Sequence, residues 1–404
     1  MAAANAPAGS GGVLPNWVML ERFIFRRDDP QSFREDKRTS ATGVTSVGAH
    51  FRVSFILAEP PTPSRLYLSW PGGPKEEMMC HLAAAHRNLV LLRLDSFVDP
   101  SNPSPFGEIA HDYFIYYVAA DHRSQSQAQS TPALRRLPGC TVHNEHFGRP
   151  IPRPFVPWCV GLLCCGEEFA VAYLGVGWRD PETERLEVEL WVLRSTIIRD
   201  STDGDEKWEV KYLPIQGQDV EHYNLIDWTT SEVIPFKNAL CWVDCNRGVL
   251  YCEDVCGDNP KATFAGGRTL AFLDVGRHDG ADLGRMVPET GFTIVFMAVT
   301  ETQSANSLVV QADDLWATHT PEDLPRIFGK LSLVTIDLST KRVIGSVVPY
   351  TNGEEDLSTD DADLVKAKPS FFMNFLPAEF PKFLNLQRLV ECTCLRHVFE
   401  SLKE

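Results

Sequence analysis

The chain is 404 residues long, carries a formal net charge of −16, and has ordinary apolar and charged fractions. A chain of this size buries about three quarters of its unfolded surface, so a core forms without help from disulfides or metals. The acidic balance argues against a duplex nucleic-acid binder, which needs a basic face, and against docking on anionic lipid.

Residues 1–13 are mostly small and flexible types and read as disordered. Strand-like text follows: FRVSFIL (51–57), RLYLSW (65–70), NLVLLRL (88–94) and DYFIYYVA (112–119), rich in β-branched and aromatic residues and bounded by Pro, Gly and Asp. Between them KEEMMCHLAAAHR (75–87) has no Gly or Pro and sets Met78, Leu82 and Ala85 on one helical face, which predicts a helix. SQSQAQSTP (124–132) is an exposed loop and PIPRPFVP (150–157) a stiff connector. Strands resume with WCVGLLCC, EFAVAYLGV, LEVELWVLRS and EKWEVKYLP, then ALCWVD (239–244), GVLYCED (248–254), RTLAFLDV (268–275), GFTIVFMA (291–298), KLSLVTIDL (330–338) and KRVIGSVV (341–348). Glu354 to Asp363 holds six acids and no base, the mark of a solvated loop, placed here within 351–368. The segment 369–404 is expected to carry a helix through Leu386, Leu389 and Val390.

About fifteen short strands with few helices between them define a mainly β, antiparallel protein. That number exceeds a single sandwich, and a propeller of five or six blades over residues 14–350 accommodates it while leaving only short edges. Two consecutive β-sandwiches are the alternative. No clean repeat of 40–50 residues is visible, which excludes a consensus WD or kelch array.

Eleven cysteines cannot all pair internally. No basic start followed by an apolar core marks a signal peptide, so free thiols in a reducing compartment, cytoplasmic or nuclear, are expected. The longest apolar stretch, around Trp158 to Cys165, falls far short of the ~20 residues a membrane span needs. Cys241, Cys245, Cys252 and Cys256 read C-x3-C-x6-C-x3-C, whereas zinc favours tight knuckles. The first two lie about 13 Å apart along one strand at ~3.3 Å per residue, so no metal is expected there. Cys140, His143 and His146 fit no metal motif either, and vicinal Cys164 and Cys165 point to opposite faces of a strand. His81 and His86 lie on different sides of the expected helix. Gly175-Val176-Gly177 lacks a dinucleotide fingerprint, and no nucleophile elbow or P-loop is present. Asp180, Glu182, Glu184, Glu187 and Glu189 cluster near a turn as surface acids. Trp158, Trp191, Trp208 and Trp242 sit in strands, where large rings fill the space between sheets.

The segment ALCWVDCNRGVLYCEDV (239–255) resembles the strand–turn–strand signature of the plant family catalogued as domain of unknown function 1618, abundant in grasses. The pattern falls on Trp242, Val243, Asp244, Arg247, Gly248, Cys252 and Asp254. CHLAAAHRNLVLLRLD (80–95), DYFIYYVA, LRRLP (134–138) and VGLLCCGEEFAVAYL (160–174) are similar to further pieces of that family, in its order. Glu253 separates Cys252 from Asp254 where the family often joins Cys and Asp, and AFLDV (271–275) stands where a Leu-Pro step is expected. The family has no established activity. Its strand layout is similar to propellers that follow F-boxes in plant adaptors, although residues 14–50 are too short and strand-like to be an F-box.

The signature residues Trp242, Asp244, Arg247 and Gly248 are expected to lock a hairpin, Asp244 accepting bonds from turn amides or pairing with Arg247. The function expected is a non-enzymatic interaction module, adaptor-like by analogy of fold, with an unknown protein partner and without cofactor, nucleic acid or membrane. The alternative is a hydrolase or small-molecule binder using a central propeller pocket. A pocket with converging acids or a perturbed histidine favours the enzyme, and an apolar rim favours the module.

Overall fold

The computed structural model describes residues 14–60, 62–75, 79–99, 109–117, 132–144, 148–166, 168–179, 186–196, 208–217, 225–244, 247–266 and 375–384, together with the backbone of five strands between residues 271 and 349. The expected disordered start, the acidic loop and the helix after residue 384 lie outside these residues. The protein is mainly β, and among the described residues it forms seven sheets. Contacts divide the chain into two units, one of residues 1–157, 201–208 and 357–404, the other of 158–200 and 209–356.

The first unit opens with β1 (Val18–Arg26), β2 (Ala41–Val44), β3 (His50–Ile56) and β4 (Ser64–Ser69). β2, β3 and β4 pair antiparallel, and β1 then joins β4 in parallel. A second sheet is a meander of β5 (Cys80–His86), β6 (Leu89–Phe97), β7 (Ile109–Tyr117) and β8 (Ala133–Arg136). The helix expected over 75–87 is therefore absent from its described part, because Cys80–His86 pairs along β6 as a strand. β9 (Thr141–Asn144) and β10 (Arg149–Pro152) form a hairpin. Phe51, Val53, Phe55, Leu66 and Leu68 of the first sheet meet Leu82, Val90, Leu92, Phe114 and Tyr116 of the second in one apolar layer. Alternation explains which side chains enter, since residues two apart share a face of a strand.

The second unit holds two further meanders. One is β11 (Val160–Cys165), β12 (Glu168–Arg179), β13 (Leu186–Thr196) and β14 (Trp208–Pro214). The other is β15 (Glu232–Phe236), β16 (Ala239–Asp244), β17 (Gly248–Glu253) and β18 (Lys261–Gly266). Their core is Leu163, Ala170, Leu174, Val188, Leu190 and Val192 packed with Leu240, Trp242, Leu250, Cys252 and Phe264. β11 comes so close to the neighbouring sheet at Gly161 that a Cβ there would sit 2.6 Å from a Val233 methyl. Strands β19 (Ala271–Arg277), β20 (Phe292–Thr300) and β21 (Gln303–Gln311) form a third sheet, and β22 (Ser332–Asp337) with β23 (Arg342–Pro349) a two-stranded one.

The last strand, β24 (Phe375–Ala378), returns to the first unit and pairs antiparallel with β1, matching Leu20 to Leu376. A helical turn over 380–384 follows. It buries Phe380 completely against Phe55 and Tyr116. No helix among the described residues is long and apolar enough to cross a membrane.

Candidate functional site

The signature residues meet at the turn between β16 and β17, where Asp244 faces Gly248 across the ladder. Asp244 points into the core side of its strand and is almost wholly buried. A buried carboxylate needs several donors, and the turn supplies them. The Arg247 amide donates to Oδ1 at 3.2 Å, and the Arg247 guanidinium donates to Oδ2 at 3.0 Å. From the approach to β15, the Thr229 amide donates to Oδ2 at 2.9 Å. Gly248 has φ +134°, in the region that L side chains avoid. Trp242 fills the core two residues upstream and donates its indole N–H to the Cys159 carbonyl at 3.0 Å. The four residues thus join the turn, the β15 approach and the 3-10 turn ahead of β11 through part-buried bonds. They offer no exposed reactive group.

The cysteines of the second unit do not converge. Cys252 lies in the core, whereas Cys241 lies on the opposite face of the same sheet. The structure joins Cys256 to Cys165 in a disulfide. This corrects the expectation of free thiols throughout. Spacing along the sequence is silent on the pair, because its members stand 91 residues apart and meet only when two sheets pack. Cys165 does not bond Cys164, which faces the other way and is buried. Cys140 is buried while His143, on β9, is exposed. His146, Cys245, Asp180, Glu182 and Glu184 lie outside the described residues. Among the described residues no group of metal-binding side chains assembles.

A charged cluster that the sequence did not announce sits on β6 and β7. Register places Arg93 beside Tyr113 and Asp95 beside His111, so four side chains share one face. Arg93 grips Asp95 with two bonds, of 2.7 and 2.6 Å, and also donates to the Phe155 carbonyl. His111 Nδ1 lies 2.8 Å from the same carboxylate. Burial pushes the Asp95 carboxyl up, but the bonds from His111 and Arg93 outweigh it and hold the group below its usual range. Burial likewise opposes the Arg93 charge, and Asp95 overcomes it. Burial lifts the Tyr113 phenol to about 12. Each charge in the cluster is answered from within it, which makes the cluster a buried tie between strands.

Among the described residues large apolar side chains are exposed on both units, Trp17, Val44, Val98 and Val156 on the first and Val210 and Tyr212 with the following four on the second. Trp158, expected inside a strand, lies instead in a 3-10 turn before β11 and is 43% exposed, because the chain turns there before pairing begins. Ile226, in the corresponding turn ahead of β15, is 52% exposed. Ile234 and Phe236 share the outer face of β15 at 47% and 58%. Trp191 and Trp242 are buried as expected. Comparison with protein-family models and with curated proteins finds no match for the chain.

Proposed function

We propose that this protein is a non-enzymatic interaction module whose second unit holds a protein partner through Trp158, Ile226, Ile234 and Phe236. The observation that carries the reading is the exposure of these large apolar groups, in contrast to the buried, internally paired state of the charged clusters. Exposed aromatic and aliphatic side chains are the usual anchors of protein recognition, and Ile234 and Phe236 share one face of β15, an edge strand, with Trp158 and Ile226 in the turns ahead of β11 and β15. The signature hairpin supports the module as a scaffold and does not touch the partner.

The scaffold in this reading is propeller-like with five or six blades, a member of the family of domain of unknown function 1618 by the resemblance of residues 239–255, and it works inside the cell as an adaptor. Successive four-stranded meanders support the propeller over two consecutive sandwiches. So does the pairing of the last described strand with the first, which ring closure requires and consecutive sandwiches do not.

The test is photo-crosslinking from position 236 in cells, followed by binding measurements with the purified captured partner. Phe236→Glu and Ile226→Asp are expected to weaken that binding at least about tenfold with an unchanged melting temperature. Binding that survives both substitutions, or that is lost only together with thermal stability, overturns the reading.

A further inference from the structure

The disulfide between Cys165 and Cys256 joins β11 to a turn held by charged side chains. Cys165 ends β11, next to the exposed Gly166 turn, and Cys256 sits in the turn that follows β17, with Cα atoms 6.5 Å apart. Both residues are half-buried at the edge of the second unit's core. Arg194 of β13 straddles Cys256: its Nε donates to the Val255 carbonyl at 3.0 Å and its Nη2 to the Gly257 carbonyl at 2.7 Å. Lys211 of β14 donates to the Asp258 carbonyl at 2.6 Å. One acid pairs with Arg194 and another braces the turn. Glu209 pairs with Arg194 Nη1 at 2.7 Å, and the Asp254 carboxylate takes the Asn259 amide at 3.2 Å. The turn therefore stays clamped to the neighbouring sheet by bonds that do not depend on the sulfur bridge.

Four of the other described thiols are poor nucleophiles. Burial lifts Cys80 and Cys252 to about 12, and Cys159 and Cys241 to about 11. At neutral pH they carry almost no thiolate, the form that attacks a disulfide.

We propose that Cys165–Cys256 is a thiol-exchange site that takes a low-molecular-weight thiol of the glutathione class, with Cys165 receiving the adduct and Cys256 leaving from the turn that Arg194 brackets. The incoming thiolate attacks Cys165 Sγ. The S–S bond breaks, its electron pair departs on Cys256 Sγ, and a mixed disulfide forms on Cys165. A second thiolate then attacks the external sulfur of that adduct and releases Cys165 as a thiolate. Two small thiols end as one symmetrical disulfide, their two electrons reduce the protein bridge, and the two protein thiolates take up the protons. The direction follows from leaving-group chemistry, since the sulfur better stabilised as an anion departs faster. Arg194 and Lys211 then hold the 254–258 turn in place, so the bridge re-forms when oxidised glutathione is supplied.

The experiment uses the full chain purified without reductant, treated with limiting reduced glutathione at neutral pH, quenched with iodoacetamide and mapped by peptide mass spectrometry. The expected result is an intact bridge at the start, then glutathione on Cys165 and the alkyl group on Cys256, with Cys80, Cys159, Cys241 and Cys252 unmodified. Arg194→Gln is expected to slow the first step about tenfold and to spread the adduct over both sulfurs. Arg194→Lys, which keeps a cation, is expected to retain the preference, and it stands in if the first variant fails to fold. Free thiols at both positions after treatment with oxidised glutathione overturn the site. So does opening only in denaturant, and an adduct confined to Cys256 overturns its direction.

Discussion

Gly248 holds φ +134° while its chain neighbours complete a two-strand ladder, so any side chain there strains the backbone. Gly248→Val is expected to cost about 1–3 kcal/mol. Trp242→Ala leaves a cavity in the second unit's core and is expected to cost about 3–5 kcal/mol. Asp244→Ala removes the acceptor of the Arg247 turn amide and of the Thr229 amide and the partner of the Arg247 guanidinium, at about 1–3 kcal/mol. Differential scanning calorimetry is expected to show all three lowering the transition of the second unit, with Trp242→Ala the largest. If Asp244→Ala or Arg247→Ala leaves the melting temperature unchanged and abolishes binding, the turn is a recognition site instead. These residues were readable in the sequence because turn chemistry is local: Asp244 and Arg247 are three apart and Gly248 is adjacent. Asp95 and His111 were not readable. Their contact depends on the β6–β7 register, which residue types alone do not specify.

At the scale of elements, β5 shows tertiary packing overriding propensity. CHLAAAH is alanine-rich and favours a helix in isolation. In the structure Leu82, Ala83, Ala84 and Ala85 are all buried, so the period of two that marks a half-exposed strand is missing. β24 escaped notice for another reason. It is four residues long and contains Pro377, which only an edge strand tolerates, and it pairs with a partner at the other end of the sequence. His86, the last residue of β5, makes this region sensitive to acid. Burial and the charge of Arg87 lower it to about 4, with Lys382 acting in the same sense and Glu379 against it. An unfolded histidine titrates near 6.5. The unfolded chain therefore takes up a proton that the folded chain refuses, so this contribution to stability is full above about pH 6.5 and is lost progressively toward pH 4. His86→Gln is expected to shrink the drop in melting temperature between pH 7 and pH 4.5 relative to the parent protein. An unchanged drop removes His86 from the account.

Across the whole molecule, the first unit is assembled from both ends of the sequence. Leu376, Ala378, Phe380 and Leu384 belong to the same apolar layer as Val18, Leu20 and Phe55. Deleting residues from Phe375 onward removes four core side chains and uncovers the edge of β1. Hydrogen exchange is expected to show protection lost over 18–117 and kept over 160–266, whereas equal loss in both regions would show that the units do not respond separately. The mainly β, antiparallel class was legible because strand text and turn text alternate along the chain. The joining of the ends was not, because nothing local in FLPA (375–378) announces a partner near residue 20. The same feature sets a timetable for biosynthesis. On the ribosome β1 emerges well before its antiparallel neighbour, which is translated only after everything between Arg26 and Phe375 has been made. At about 5–20 residues per second, that interval lasts on the order of tens of seconds. Throughout it the nascent chain carries an unpaired strand edge and an open apolar surface, which makes the N-terminal segment a natural client for chaperones during synthesis.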